Sequence, residues 1–120
     1  MLDHYRTQLT RIPFGVAVVA SLLILFMPAA GVPSAPPGTD KVVHFALFAA
    51  LAATGRIAGF PTMKLLPALV GYAAASEVLQ GLLPIGRSCD VVDGLVDVAG
   101  AAVGWAAAAL LRKVSGASSR

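Results

Sequence analysis

Four apolar stretches, separated by short clusters of proline, glycine and charge, set the pattern of this chain. From Ile12 to Thr39 no charged residue occurs, and the first part of that run is rich in Val, Leu and Ala. It predicts a helix over about 12–28, with Pro13 at the start, where a missing N–H is tolerated. Pro28, Pro33, Pro36 and Pro37, with Gly31 and Gly38, then break the chain into a loop. A second helix is predicted over 40–58, with Thr39 or Asp40 able to cap it and Gly59 and Pro61 ending it. A third is predicted over 64–83, with Pro67 in its first turn and Pro84 and Gly86 closing it. A fourth spans 90–111 and runs into Arg112 and Lys113. The polar head, Met1 to Arg11, and a frayed polar tail, Ser115 to Arg120, flank these helices. There is no internal repeat, so 1–120 reads as one domain.

Composition turns this pattern into a fold class. Hydrophobic residues make up 58% of the chain and charged residues only 12%, against about 25% charged in soluble domains. A soluble protein of 120 residues could not hide that much apolar surface. The expectation is an all-α membrane protein, a four-transmembrane-helix bundle. The basic head, apolar run and small residues at Ala29 and Ala30 also fit a cleaved signal peptide. Pro28 sits badly beside such a cleavage site and the run is long, so the first helix is read as retained. Four crossings put both termini on one side. Arg6, Arg11, Arg56, Lys64, Arg112, Lys113 and Arg120 lie on that side, and Lys41 and Arg87 on the other. The excess of Lys and Arg makes the terminal side cytoplasmic. The acids divide the other way, with Asp3 inside and Asp40, Glu77, Asp90, Asp93 and Asp97 in the outer half.

Those outer acids carry the chemistry. An ionised group at mid-helix costs about 2.5–3.5 kcal/mol on insertion scales, so a greasy chain that keeps several must gather them. At about 1.5 Å rise per residue, His44, Glu77, Gln80, Asp93 and Asp97 all fall within roughly 10 Å of the outer ends of their helices. Glu77, Gln80 and Pro84 share one helix stripe; Asp90, Asp93, Asp97, Gly100 and Gly104 share another. Asp40, Lys41, His44, Glu77, Gln80, Arg87, Asp93 and Asp97 are therefore expected to line one outward-facing polar pocket. Arg87, beside a helix N-terminus, opposes the dipole and wants an acidic partner or an anionic ligand. Five carboxylates face two fixed cations and His44, so at neutral pH either one carboxyl holds a proton or a cation is bound. Gly100 and Gly104 form a GxxxG pair that lets helices approach closely. Lying below the carboxylates, it argues that this face points into the bundle; the same pair can also join two copies. Blander roles stand beside these: Asp40 as a cap, Lys41 snorkelling to the interface, Ser76 as a packing hydroxyl, and the whole cluster as a polar knot fixing helix packing.

Taken together, Asp40-Lys41-x-x-His44-Phe45, Glu77-x-x-Gln80, Pro84-x-Gly86-Arg87 and Asp93-x-x-x-Asp97 with Gly100 and Gly104 resemble the VanZ-like family. The resemblance covers about 40–104. It implies a small polytopic protein of the bacterial cytoplasmic membrane, from a family whose founding member confers low-level resistance to the glycopeptide teicoplanin. The family pattern usually has asparagine where this chain has Asp97, which adds a negative charge. The function expected is a non-enzymatic binding module for a lipid head group, a lipid-linked cell-wall intermediate or the glycopeptide itself, with membrane lipids as partners. The alternative is an enzyme acting on such a lipid, with His44 and Glu77 as acid and base around a divalent cation held by Asp93 and Asp97. No phosphate loop, HExxH or nucleophile elbow occurs, and Cys89, the only cysteine, cannot form an intrachain disulfide. The sequence names no cofactor, and its basic inner ends read as topology and anionic-lipid contact, with no nucleic-acid partner.

Overall fold

The computed structural model describes residues 2–31 and 36–118, with side chains from 9 to 31 and from 36 to 114. Arg120 and Pro33, and the side chains of Asp3 and Arg6, fall outside these. Among the described residues the elements are four α-helices, α1 (Leu2–Leu25), α2 (Thr39–Ile57), α3 (Thr62–Leu82) and α4 (Val91–Ser118), and one 3-10 turn at Ala29–Gly31.

The helix ends depart from the sequence reading for local reasons. The head predicted to be non-helical is the first part of α1, because Leu2 to Ile12 contains neither glycine nor proline to stop the helix. Pro13 consequently lies inside the helix rather than at its start. α1 stops at Leu25, short of the predicted end, because Pro28 disfavours helical geometry in the residue before it. Neither Thr39 nor Asp40 caps α2. The N-cap is Gly38 at φ 87°, and Thr39 Oγ1 instead donates to Pro36 O at 2.8 Å. α2 ends in a Schellman turn: Gly59, at φ 91°, donates to Arg56 O, and Phe60 N–H to Gly55 O. α3 begins two residues before the predicted Lys64, directly after Pro61. α4 continues past the predicted 111, since Arg112 to Ser118 holds no proline.

α2 and α4 pack most extensively, and α1 and α3 flank them. The α2–α4 contact is possible because α4 presents glycine. A Cβ on Gly100 would land on the Phe45 carbonyl, and one on Gly104 on the Ala49 carbonyl. Both glycines are buried against α2 of the same chain. The expectation of self-association through this pair therefore has no free glycine face to use. Leu25, Phe48, Leu51, Leu65 and Leu69 fill the core with small residues such as Ala73 and Ala101.

The molecule is elongated, 51 × 27 × 26 Å. Its flanks are apolar: Val16, Val19 and Leu23 on α1, Val70 on α3, and Leu95 and Leu110 on α4 are all exposed. α3 over Thr62–Leu82 and α4 over Val91–Val114 are long and apolar enough to cross a membrane, yet only 33% and 28% of an apolar 18-residue stretch within each is buried. A core helix of a soluble protein would hide more. α1 has a shorter apolar stretch, Leu9–Leu25, and α2 carries Asp40, Lys41 and Arg56 within its 19 residues.

Candidate functional site

α2 and α4 meet in a ladder. Its upper rungs are polar: Lys41 Nζ lies 2.7 Å from Asp93 Oδ1, and His44 Nδ1 lies 2.8 Å from Asp97 Oδ1. Its lower rungs are the glycine contacts, Gly100 on Phe45 and Gly104 on Ala49. The spacing explains the register. Lys41 and His44 are three apart on α2, and Asp93 and Asp97 four apart on α4, so each pair shares a face.

The upper rung is half in water. Lys41 also lies 3.3 Å from Asp90 Oδ2, and the side chains of Lys41 and Asp90 are 38% and 40% exposed. Asp90 caps α4, its Oδ1 accepting from Val92 N–H at 2.9 Å. That backbone donor, helped by the Lys41 ammonium, holds the Asp90 carboxyl below its ordinary range.

The second rung is dry. Asp97 is 0% and His44 3% exposed. Glu77, 4% exposed on α3, closes the site from the third side, with Oε1 3.8 Å from His44 Nδ1. Its Oε2 accepts the Asp90 N–H at 3.1 Å, which fixes the carboxylate's orientation. Glu77 Oε1 and Asp97 Oδ2 are buried with no hydrogen-bond partner. An unsatisfied buried polar group costs about 1–3 kcal/mol, and more when charged. One ligand atom from each of His44, Glu77 and Asp97 lies within 4.8 Å of the others, a grouping that could hold a metal ion. Gly94 of α4 lies alongside Glu77, and a Cβ there would make ordinary van der Waals contact with Glu77 Cγ at 3.6 Å.

The eight residues expected to line one pocket thus divide. Lys41, His44, Glu77, Asp93 and Asp97 come together, and Asp90 joins them through its carboxylate and its amide. Gln80 and Arg87 turn instead to the end of α1. Gln80 Nε2 donates to Leu25 O at 2.7 Å, and Arg87 donates to Met27 O at 2.7 Å and Ile24 O at 3.3 Å. The acidic partner expected for Arg87 is replaced by the carbonyls at the C-terminal end of a helix, which carry partial negative charge. Asp40 lies outside the buried cluster, exposed on the first turn of α2. Asp93 is taken by Lys41, so the cation pair read from Asp93 and Asp97 gives way to a grouping centred on His44, Glu77 and Asp97.

A groove of about 660 Å³ opens beside the cluster. Ile24, Met27, Val43 and the turn at Pro36 and Pro37 give it apolar walls, and Thr39, Asp40, Arg87 and His44 are its polar lining. His44 therefore belongs both to the groove and to the buried carboxylates.

Sequence reasoning passed over three further contacts. Ser21, 0% exposed, bonds the Tyr72 hydroxyl at 2.9 Å and ties α1 to α3; a lone hydroxyl in an apolar run was the available signal. At the opposite end Arg56 stacks 3.9 Å above the Trp105 ring, and Trp105 Nε1 donates to Thr62 Oγ1.

No curated protein and no solved structure matches this chain. The VanZ/LLP1 family model matches residues 4–112, nearly the whole of the four-helix unit just described. The chain belongs to the VanZ/LLP1 family.

Proposed function

We propose that this chain is a multi-pass protein of the bacterial cytoplasmic membrane. All four helices cross, both termini are cytoplasmic, and the groove takes the polar head group of an amphiphile from the outer leaflet. That amphiphile is a membrane lipid, a lipid-linked cell-wall intermediate or a glycopeptide of the teicoplanin kind. The observation that carries the reading is the double membership of His44. An apolar groove with a histidine at its polar wall, and Arg87 and Asp40 beside it, suits a ligand that is part greasy and part hydrogen-bonding.

The chemistry assigns the parts. Ile24, Met27 and Val43 cover the apolar portion. Arg87, partly engaged by carbonyl oxygens, offers its remaining N–H groups to an anionic or carbonyl oxygen. His44 is oriented by Asp97 and presents a hydrogen-bonding edge.

The test is binding in lipid nanodiscs. Teicoplanin and a lipid-linked cell-wall precursor are titrated against the chain and against Met27→Trp, which fills the groove. Saturable binding of one probe, lost in the variant, supports the reading. Equal uptake by both chains, or none by either, refutes it.

A second reading is favoured by the unpartnered Glu77 Oε1 beside His44: acid–base catalysis on the same lipid, with His44 and Glu77 exchanging the proton. Turnover of the bound precursor, abolished in a folded Glu77→Gln variant, would establish it in place of simple binding.

A further inference from the structure

We infer that His44, Glu77 and Asp97 form a binding site for one divalent transition-metal ion at the top of the α2–α3–α4 contact. The inference stands apart from what the groove binds.

Donor chemistry is the first argument. One imidazole nitrogen and two carboxylate oxygens from three different helices converge, all at least nine-tenths buried. Three protein ligands with a fourth position left open is the count found at catalytic zinc, and imidazole nitrogen and carboxylate oxygen are both among its ligand types. On a tetrahedral ion the donor atoms would sit ~3.3 Å apart. The present separations straddle that: 2.8 Å from His44 Nδ1 to Asp97 Oδ1, 3.8 Å from the same nitrogen to Glu77 Oε1, and none of the three beyond 4.8 Å. Side-chain adjustment of a few tenths of an ångström to about one ångström closes the set around an ion.

Unsatisfied valence is the second and independent argument. Glu77 is 4% exposed, and its Oε1, 3.8 Å from the imidazole nitrogen, accepts no hydrogen bond. Its other oxygen is held by the Asp90 amide, the kind of outer contact that orients a metal ligand. Asp97 Oδ2 is likewise unpartnered. A purely structural knot would spend these oxygens on donors; here each carboxylate keeps one in reserve.

Charge is the third. Two buried carboxylates with a neutral imidazole carry two negative charges, which a divalent ion cancels. The fixed cation nearby, Lys41, is already committed to Asp90 and Asp93. Water can fill the open coordination position, as it does at catalytic zinc.

The experiment uses the full chain in nanodiscs, stripped with chelator and then equilibrated with Zn²⁺ or Co²⁺. Bound metal is counted by mass spectrometry, and the Co²⁺ form is read by visible absorption. One ion per chain is expected. Glu77→Gln and Asp97→Asn should each weaken it by at least ~10-fold, and His44→Gln should alter the Co²⁺ spectrum. Asp93→Asn, outside the three, should keep the stoichiometry. Helical circular dichroism and Trp105 fluorescence, at the far end of the bundle, check that each variant folds. Absence of a stoichiometric ion on the wild-type chain overturns the site, as does undiminished uptake by folded Glu77→Gln and Asp97→Asn. Met27→Trp should retain the ion while losing the amphiphile, so failure of the groove and failure of the metal site read differently.

Discussion

Gly104→Ala tests the α2–α4 ladder at its tightest rung. The new Cβ would fall on the Ala49 carbonyl oxygen, with the Ala49 carbonyl carbon and Cα close behind. All three are backbone atoms of α2, so no side-chain rotation relieves the clash. The helices must part, and the rungs above, Phe45 on Gly100 and His44 on Asp97, lengthen with them. Overpacking of this kind costs about 1–3 kcal/mol. Against it stands the gain in helix propensity when alanine replaces glycine, about 1 kcal/mol. Gly71→Ala isolates that gain, since its Cβ would meet nothing within 4 Å in the interior of α3. The expected outcomes differ: Gly71→Ala neutral or stabilising by up to about 1 kcal/mol, Gly104→Ala destabilising by up to about 2 kcal/mol net. Denaturant unfolding in detergent micelles, followed by helical circular dichroism, measures both. If the two variants move together, the close approach of α4 to α2 is refuted, and with it the geometry that brings Asp97 to His44.

Three further outcomes follow from the same coordinates. Gln80→Leu leaves Leu25 O at the end of α1 without its donor and should cost about 1–3 kcal/mol in the same unfolding assay. Asp90, held below its ordinary value of 3.8 by the Val92 N–H and by Lys41, contributes stability that is complete above 3.8 and lost as pH falls through its lower folded value. Asn also caps, so the stability difference between wild type and Asp90→Asn should be steady at neutral pH and vanish in acid; a difference that persists there would break the assignment. An enzyme reporter that works only in the cytoplasm, fused after Arg120, should be active, and activity of an exported reporter at that position would invert the proposed topology.

What the sequence disclosed depended on whether a residue's partner was itself marked. Glu77, Asp93 and Asp97 were legible because prolines and helix starts gave their depth, and steps of three and four gave their faces. Gly100 and Gly104 were legible as a close-packing surface, though which helix they met was not. Gln80 and Arg87 were recognised as polar groups out of place, but their partners are carbonyls at the end of α1, and a carbonyl leaves no trace in sequence. The same holds for Glu77, oriented by the amide of Asp90. Gly38 displaced Thr39 and Asp40 from the cap position because the turn needs a positive φ, a demand set by the path of the loop rather than by capping preference. The start of α1 was placed too late because the polar head was set outside the helix, when a polar segment free of glycine and proline can simply extend one.

The account rests on His44 and Asp97 meeting in a dry site shared by three helices, and a double-mutant cycle measures that contact directly. His44→Gln, Asp97→Asn and the double variant are unfolded in parallel in the same micelles. Contact at 2.8 Å predicts a coupling energy of about 0.5–3 kcal/mol. Strict additivity of the two single changes, in variants that all fold, would place the side chains apart and contradict the site.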